Sequence, residues 1–540
     1  MELAAIARAS VEDLSSVVAK ELATHHRLLP PRHDYSTLLG HVEEIALLHK
    51  GAAARAWSGP ARGDVVFARK GWRGTRPLTV MALQDAVAYR FLCDRLAQSL
   101  PAGVTRRRPA ADFKEALLSE PDLTHIAVTD VTAYYEYVDH QLLGDELVAQ
   151  TGDEPTVAQL LALVRGVMGR GVGLPQIHQS SDILGDTYID PIRRRLRRRG
   201  FKTLTYSDDF RIGARNLSDA RRALEICAAE MRELGLVQNE RKTFTWSKAK
   251  YREDLDSFAR AERQLFDRAD ELVTFWTDAY GSDDELESPT SLEATPIGGG
   301  VDESDVVLDG PTSPIPDYEI TTSQLGAAEK ALELWLAEDE ADETQSQKNA
   351  AITQSLLGRA LPILGAGRSS SPLESAEAIL RFEPALTPQL ASYLIQYAGD
   401  DRKRAVEVRD VLDEIIADTM LSDWQSIWIA HVAGYLRGSR MSRPHVAWLT
   451  EQVTSGTDAV AAHAAAALGN IGRADPEGLL AGVSRLSPVW RSLALWGLAR
   501  VSAELASEVA DDGIERILVG TTGGRGQRQK RGHTARKTKP

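Results

Sequence analysis

Cysteine is nearly absent from this chain: only Cys93 and Cys227 occur in 540 residues, each within a helical apolar pattern. That excludes a disulfide framework, and the twelve histidines include no spacing that would join these cysteines in a zinc site. Two reduced core thiols in a cytoplasmic protein are the expectation. Long apolar runs are missing too. The segment Met1 to Lys20 mixes Glu2, Arg8, Glu12 and Asp13 into an amphipathic pattern, so it reads as a helix of the folded domain rather than a signal peptide. No membrane association is expected. Basic residues vanish from one stretch: between Ala269 and Glu329 there is no Lys or Arg, against fifteen Asp or Glu. The formal charge of −14 is therefore localised, and it does not exclude a nucleic-acid partner for the near-neutral remainder, which carries basic clusters.

What is present is ordinary soluble composition, 43% hydrophobic and 26% charged, over a length that suits two or three domains. A mixed α/β block comes first. Residues 281–317, rich in Pro, Gly, Ser and acids, read as a disordered linker. Residues 318–518 are helical by pattern, and His463–Arg473 echoes Arg491–Arg500 as small-residue helices. These suit either a HEAT-like paired-helix array or a plain helical bundle. Residues 519–540 form a glycine-rich basic tail, suited to phosphate contact or simply to solubility.

The chemistry concentrates in Tyr206-Ser207-Asp208-Asp209-Phe210. Adjacent carboxylates between apolar residues repel one another and call for a cation. Ser-Asp-Asp is also ordinary hairpin-turn chemistry, so the tetrapeptide alone decides nothing. Upstream, Ala127-Val128-Thr129-Asp130-Val131 reads as a strand ending in another acid, and two neighbouring strands would bring Asp130 and Asp208 to one cation cluster. Asp209, next along its strand, points to the opposite face, where it supports the second carboxylate or tunes the metals.

Further segments follow in order. Asp130-Val-Thr-Ala-Tyr-Tyr-Glu-Tyr-Val-Asp-His140 breaks from strand through turn to helix. Gly173-Leu-Pro-Gln-Ile-His-Gln-Ser-Ser-Asp182 feeds a helix, and Leu234-Gly-Leu-Val-Gln-Asn-Glu-Arg-Lys-Thr243 comes after the acidic hairpin. This series resembles the palm motifs of reverse transcriptases. The resemblance implies magnesium, two ions with manganese as a substitute, held by Asp130, Asp208, Asp209 and the backbone carbonyl of Val131. It implies that Tyr135 stands beneath the sugar of the incoming nucleotide and rejects a 2′-hydroxyl, that Gln176 approaches nucleotide and template, and that Lys242 lies near the triphosphate. Phe67–Leu78 resembles the fingers hairpin, with Arg76 as the leading phosphate contact, helped by Arg69 and Lys70. The chain departs from the family in carrying Ile177 where glycine is usual, which alters the template path.

The fold class expected is therefore α/β (α+β) polymerase fingers and palm with an antiparallel palm sheet, followed by an all-α, helical-repeat-like domain. The divisions are 1–125 fingers, 126–250 palm, 251–280 thumb-like helix, then linker, helical domain and tail. The architecture is similar to the abortive-infection, antiphage branch of bacterial reverse transcriptases. That implies DNA synthesis from dNTPs with RNA or DNA as partner, possible homo-oligomers, and synthesis that is untemplated and primed from a protein tyrosine such as Tyr318, Tyr393, Tyr397 or Tyr435. Two alternatives stay open: a catalytically inactive polymerase-fold scaffold, and a retron-like enzyme with a dedicated noncoding RNA.

Overall fold

The structure, a computed structural model, describes residues 4–24, 26–54, 63–70, 74–105, 110–176, 178–265, 320–337, 343–418, 420–436, 443–472 and 474–522. The expected linker (281–317), most of the expected tail, Arg106–Arg108, Ile177 and Tyr318 lie outside the described residues. The chain divides into two compact units, and the division is not linear: Met1–Phe91 joins Leu361–Pro540 in one unit, and Leu92–Ala360 forms the other.

In the first unit the C-terminal helices stack in two layers. Thr387–Ala398, Asp423–Tyr435, Asp458–Ile471 and Pro488–Val501 pack successively in one layer, and Arg402–Asp418, Arg443–Ser455, Pro476–Arg485 and Ala503–Val509 in the other. Small residues set the spacing. Asp458–Ile471 is buried from Ala459 to Gly469, as befits a helix apolar on every side. A Cβ on Gly469 would lie 2.4 Å from the Gly497 carbonyl oxygen, so these two backbones touch. The Ser422–Gln425 capping box fixes the start of Asp423–Tyr435.

The N-terminal segment is bonded onto this stack. Arg32 pairs with the buried Asp34 at 2.7 Å and donates to the Val489 carbonyl at 3.1 Å and to Ser492 Oγ at 3.0 Å. Ser492 donates in turn to Asp34 at 2.7 Å. The His33 ring stacks on Trp496 at 4.6 Å, and the Trp496 indole donates to Thr37 at 3.0 Å. Strands β1 (Gly63–Lys70) and β2 (Gly74–Met81) form an antiparallel hairpin of the same unit, in which Trp490 donates to Asp64. Alternation is strict on β1: Val66 and Ala68 are buried, Val65 and Phe67 exposed.

The second unit holds a four-stranded antiparallel sheet of order β4-β5-β3-β6, made of β3 (His125–Thr129), β4 (Lys202–Tyr206), β5 (Asp209–Ala214) and β6 (Phe244–Ser247). Helix Leu217–Glu233 lies against β3 and β5 and buries Ala220, Ala223, Cys227 and Met231. Phe113, Leu117, Ile126, Val128, Leu204 and Tyr251 make another apolar cluster on the sheet. Cys93 and Cys227 are both free and buried. Helix Gln179–Arg198 packs on β4. Its arginines are mostly committed within the fold: Arg193 to Asp190, Arg194 to Glu146, Arg195 and Arg199 to Glu230, and Arg197 to the Thr203 carbonyl at 2.9 Å. The run thus braces the fold while Arg195 and Arg199 stay about half exposed. Among the described residues, no helix is long and apolar enough to cross a membrane.

Candidate active site

The β4–β5 hairpin closes with Tyr206 opposite Asp209, which leaves Ser207-Asp208 as a two-residue turn. Ser207 adopts a φ of 48°, the left-handed conformation that such tight hairpins demand. Thr129 pairs with Phe210 across β3 and β5, so Asp130, one residue past the end of β3, comes level with the turn. The Val131 N–H donates to the Asp208 carbonyl at 3.2 Å and locks the two acid-bearing segments together. After Thr132 the chain turns sharply through Ala133, also left-handed at a φ of 48°, which costs an alanine about 1–2 kcal/mol.

Asp130 is buried, and Asp208 faces it closely enough for their carboxyl groups to share a hydrogen bond. Burial, then the charges of Asp130 and Asp209, push the Asp208 carboxyl up to about 7. Two acids are thus held together where water cannot separate their charges, which is the electrostatic demand of a cation site. Their hard oxygens suit magnesium or manganese. The Val131 carbonyl can join them, because the bridge between Val131 and Gln238 uses the Asp130 carbonyl and the Thr132 N–H instead. Among the described residues, no group of three or more His, Cys, Asp or Glu stands ready to hold a metal; the oxygens available here are two carboxylates and the backbone.

Asp209 turns elsewhere. Its carboxylate pairs with Arg211 at 3.1 Å, and Arg211 is itself buried beneath the Phe113 ring and bonded to the Tyr251 hydroxyl at 3.2 Å. Asp209 opens β5 on the same face as Arg211, two residues on, while Asp208 in the turn faces Asp130.

Lys242 sits in the short 3₁₀ turn Glu240–Lys242 with its Nζ 3.7 Å from Asp130 Oδ2. The same oxygen accepts from Asn239 Nδ2 at 3.0 Å, while the Asn239 N–H donates to the Asp130 carbonyl at 2.8 Å. Gln238 donates to Thr129 Oγ1 at 2.8 Å, and Thr243 shares a 2.8 Å hydrogen bond with the same hydroxyl. Sequence reasoning singled out Lys242 from this segment and missed Asn239. The available signal was an amide three residues before the lysine in a run that must cross the end of β3.

Tyr135 is half-buried on the turn after Asp130, with its hydroxyl donating to Asp182 Oδ1 at 2.7 Å. Its carbonyl accepts from the Leu174 N–H at 2.7 Å, which ties this turn to the loop that carries Gln176. Gly173 in that loop has a φ of 95°, and its carbonyl is held by His140 Nε2 at 2.7 Å. Arg69, Lys70 and Arg76 stand on the β1–β2 hairpin of the first unit, with Arg76 opposite Ala68 and Arg69 opposite Thr75. The structure thus brings together Asp130, Val131, Asp208 and Lys242, and separately links Tyr135 to the Gln176 loop. Tyr393 and Tyr397 are buried, donating to the Ser369 carbonyl at 2.9 Å and to Glu407 at 2.5 Å.

Residues 69–260, roughly a third of the chain, match the sequence family described as reverse transcriptase (RNA-dependent DNA polymerase). That segment is similar to a reverse transcriptase domain. The curated proteins offer no match to the chain. Among solved structures, the chain is similar to telomerase from Candida albicans in complex with a fragment of telomeric RNA, at 10% identity and a TM-score of 0.29, over 72% of this chain and 70% of that one. Within the matched segment, the antiparallel sheet carries the two acids at adjoining strand ends, and a helical region follows in sequence.

Proposed function

We propose that this chain is a DNA polymerase of reverse-transcriptase type that adds deoxynucleotides by two-metal nucleotidyl transfer. The observation that carries the reading is the pairing of Asp208, pushed up to about 7, with the buried Asp130 inside the segment that matches the family. Asp130, Asp208 and the Val131 carbonyl would hold magnesium, or manganese in its place. When bound, the metals supply Lewis acidity at the attacking and leaving oxygens. Asp130 and Asp208 would hold the ions at the reacting centre, while Asn239 and Lys242 hold one oxygen of Asp130 in place. Lys242, half exposed beside Asp130, is placed to protonate the leaving pyrophosphate. Arg76, Arg69 and Lys70 offer guanidinium and ammonium groups to phosphates.

The reading extends to antiphage defence of the abortive-infection kind, in a cytoplasmic protein acting on dNTPs with RNA or DNA and able to form homo-oligomers. Its support is the sequence resemblance together with the paired-helix layers of the first unit. Protein priming belongs to the same reading; Tyr393 and Tyr397, buried and bonded, are poor primers.

The alternative is an inactive scaffold that keeps the fold to bind nucleic acid or protein. Incorporation of each deoxynucleotide by the purified chain, with magnesium, with and without RNA, separates the two. The polymerase reading expects incorporation that falls about a thousandfold in Asp208→Asn, equal to about 4 kcal/mol of lost charge stabilisation. No incorporation by well-folded protein favours the scaffold, and a dedicated RNA that copurifies and is required favours a retron-like enzyme.

A further inference from the structure

The turn after Asp130 is stapled to helix Gln179–Arg198 by two successive tyrosine hydroxyls. Tyr134, buried, donates to the Gly185 carbonyl at 2.6 Å, and Tyr135 donates to Asp182 Oδ1 at 2.7 Å. Gly185 makes room for both rings: a Cβ there would lie 3.1 Å from Tyr134 Cε1 and 3.6 Å from Tyr135 Cε1. The rings lean on each other at 5.3 Å, and the Leu174 N–H fixes the backbone of Tyr135 from the other side. Tyr135 is therefore held by its ring face, its backbone and its phenol. The phenol adds a directional hold at the far end of the ring, where rotation about the side-chain torsions moves it most.

We propose that Asp182 is a specificity-determining positioning residue: it latches the Tyr135 ring so that the nucleotide pocket rejects a 2′-hydroxyl. This rests on the polymerase reading above, with Tyr135 as the sugar gate. An aromatic ring discriminates against one extra oxygen only if it cannot step aside, since a compliant pocket rejects an added hydroxyl weakly. A hydrogen bond from phenol to carboxylate is of the stronger, charge-assisted kind. Asp182 does not touch the nucleotide in this scheme; it acts through Tyr135.

The test compares kcat/KM for dATP with that for ATP in the full-length chain. Asp182→Ala and Tyr135→Phe each break the latch from one side and leave the ring in place. Each is expected to lower deoxynucleotide preference about tenfold, the worth of one hydrogen bond to a charged group, through a lower KM for ATP; in Asp182→Ala, whose side chain does not touch the nucleotide, kcat for dATP should change little. The double variant is expected to lose no more than either single one, because both remove the same interaction. Asp182→Asn keeps an accepting oxygen and is expected to restore part of the preference. A loss of preference in Tyr135→Ala with none in Asp182→Ala or Tyr135→Phe overturns the latch and leaves the gate standing. Unchanged preference in Tyr135→Ala overturns gate and latch together, and absence of incorporation by the unaltered chain overturns the polymerase reading with them.

Discussion

Asn239 holds Asp130 at two points, its side-chain amide on Oδ2 at 3.0 Å and its backbone N–H on the carbonyl at 2.8 Å. One residue thus fixes both the direction of the carboxylate and the course of the chain that bears it. Groups that orient a metal-binding carboxylate matter nearly as much as the ligand itself.

Replacing Asn239 with Leu, close in volume but unable to donate, is expected to weaken manganese binding by about 10–100-fold. Calorimetry without nucleotide reads this directly. Unchanged affinity in a variant that melts normally would show that Asp130 needs no such support.

The adjacent acids are expected to respond oppositely to removal of charge. Asp208→Asn relieves the repulsion that lifts this carboxyl to about 7, so the metal-free protein should gain about 1–3 kcal/mol. Asp209→Ala strands the buried Arg211 guanidinium and should cost about 2–4 kcal/mol. Denaturant melts in a chelating buffer decide it; the same sign for both would contradict the geometry.

His463 carries a pH dependence. It is buried, its Nδ1–H donates to the Ala459 carbonyl, its Nε2 has no partner among the described residues, and burial lowers its pKa to about 4. The unfolded chain takes up a proton near pH 6.5 while the folded one resists until about 4. Stability from this group is therefore intact above pH 6.5 and lost as pH falls toward 4, by about 3 kcal/mol. His463→Leu should flatten that part of the stability profile, and an unaltered profile would assign the acid sensitivity elsewhere.

Gly497→Ala tests the stacking of the C-terminal helices. The added Cβ would lie 2.3 Å from the Ala465 carbonyl oxygen, against backbone that cannot yield. A loss of about 1–3 kcal/mol is expected in thermal melts, whereas Gly472→Ala, at a left-handed helix end with open space, should cost only its backbone strain.

Much of the second unit was legible because its signals are local. A short apolar strand ending in Asp130, and the tight Ser207-Asp208 turn, place two acids at strand ends whichever way the rest of the chain folds. Asn239 was not legible, since an amide in a polar run reads as a turn until its partner across the sheet is known. The Tyr135–Asp182 bond was hidden for the same reason: nothing local marks a helix carboxylate as the acceptor for a phenol on a distant turn. The union of Met1–Phe91 with Leu361–Pro540 was hidden more deeply, resting on single side chains such as Arg32, Asp34 and Trp490 rather than on any periodic pattern.

That union constrains the order of synthesis. Arg32 leaves the ribosome 457 residues before its partner Val489, and Ser492 and Trp496, to which Asp34 and His33 bind, come later still. The second unit can close while these residues still await their partners, so the Arg32–Asp34 segment is among the later parts to settle.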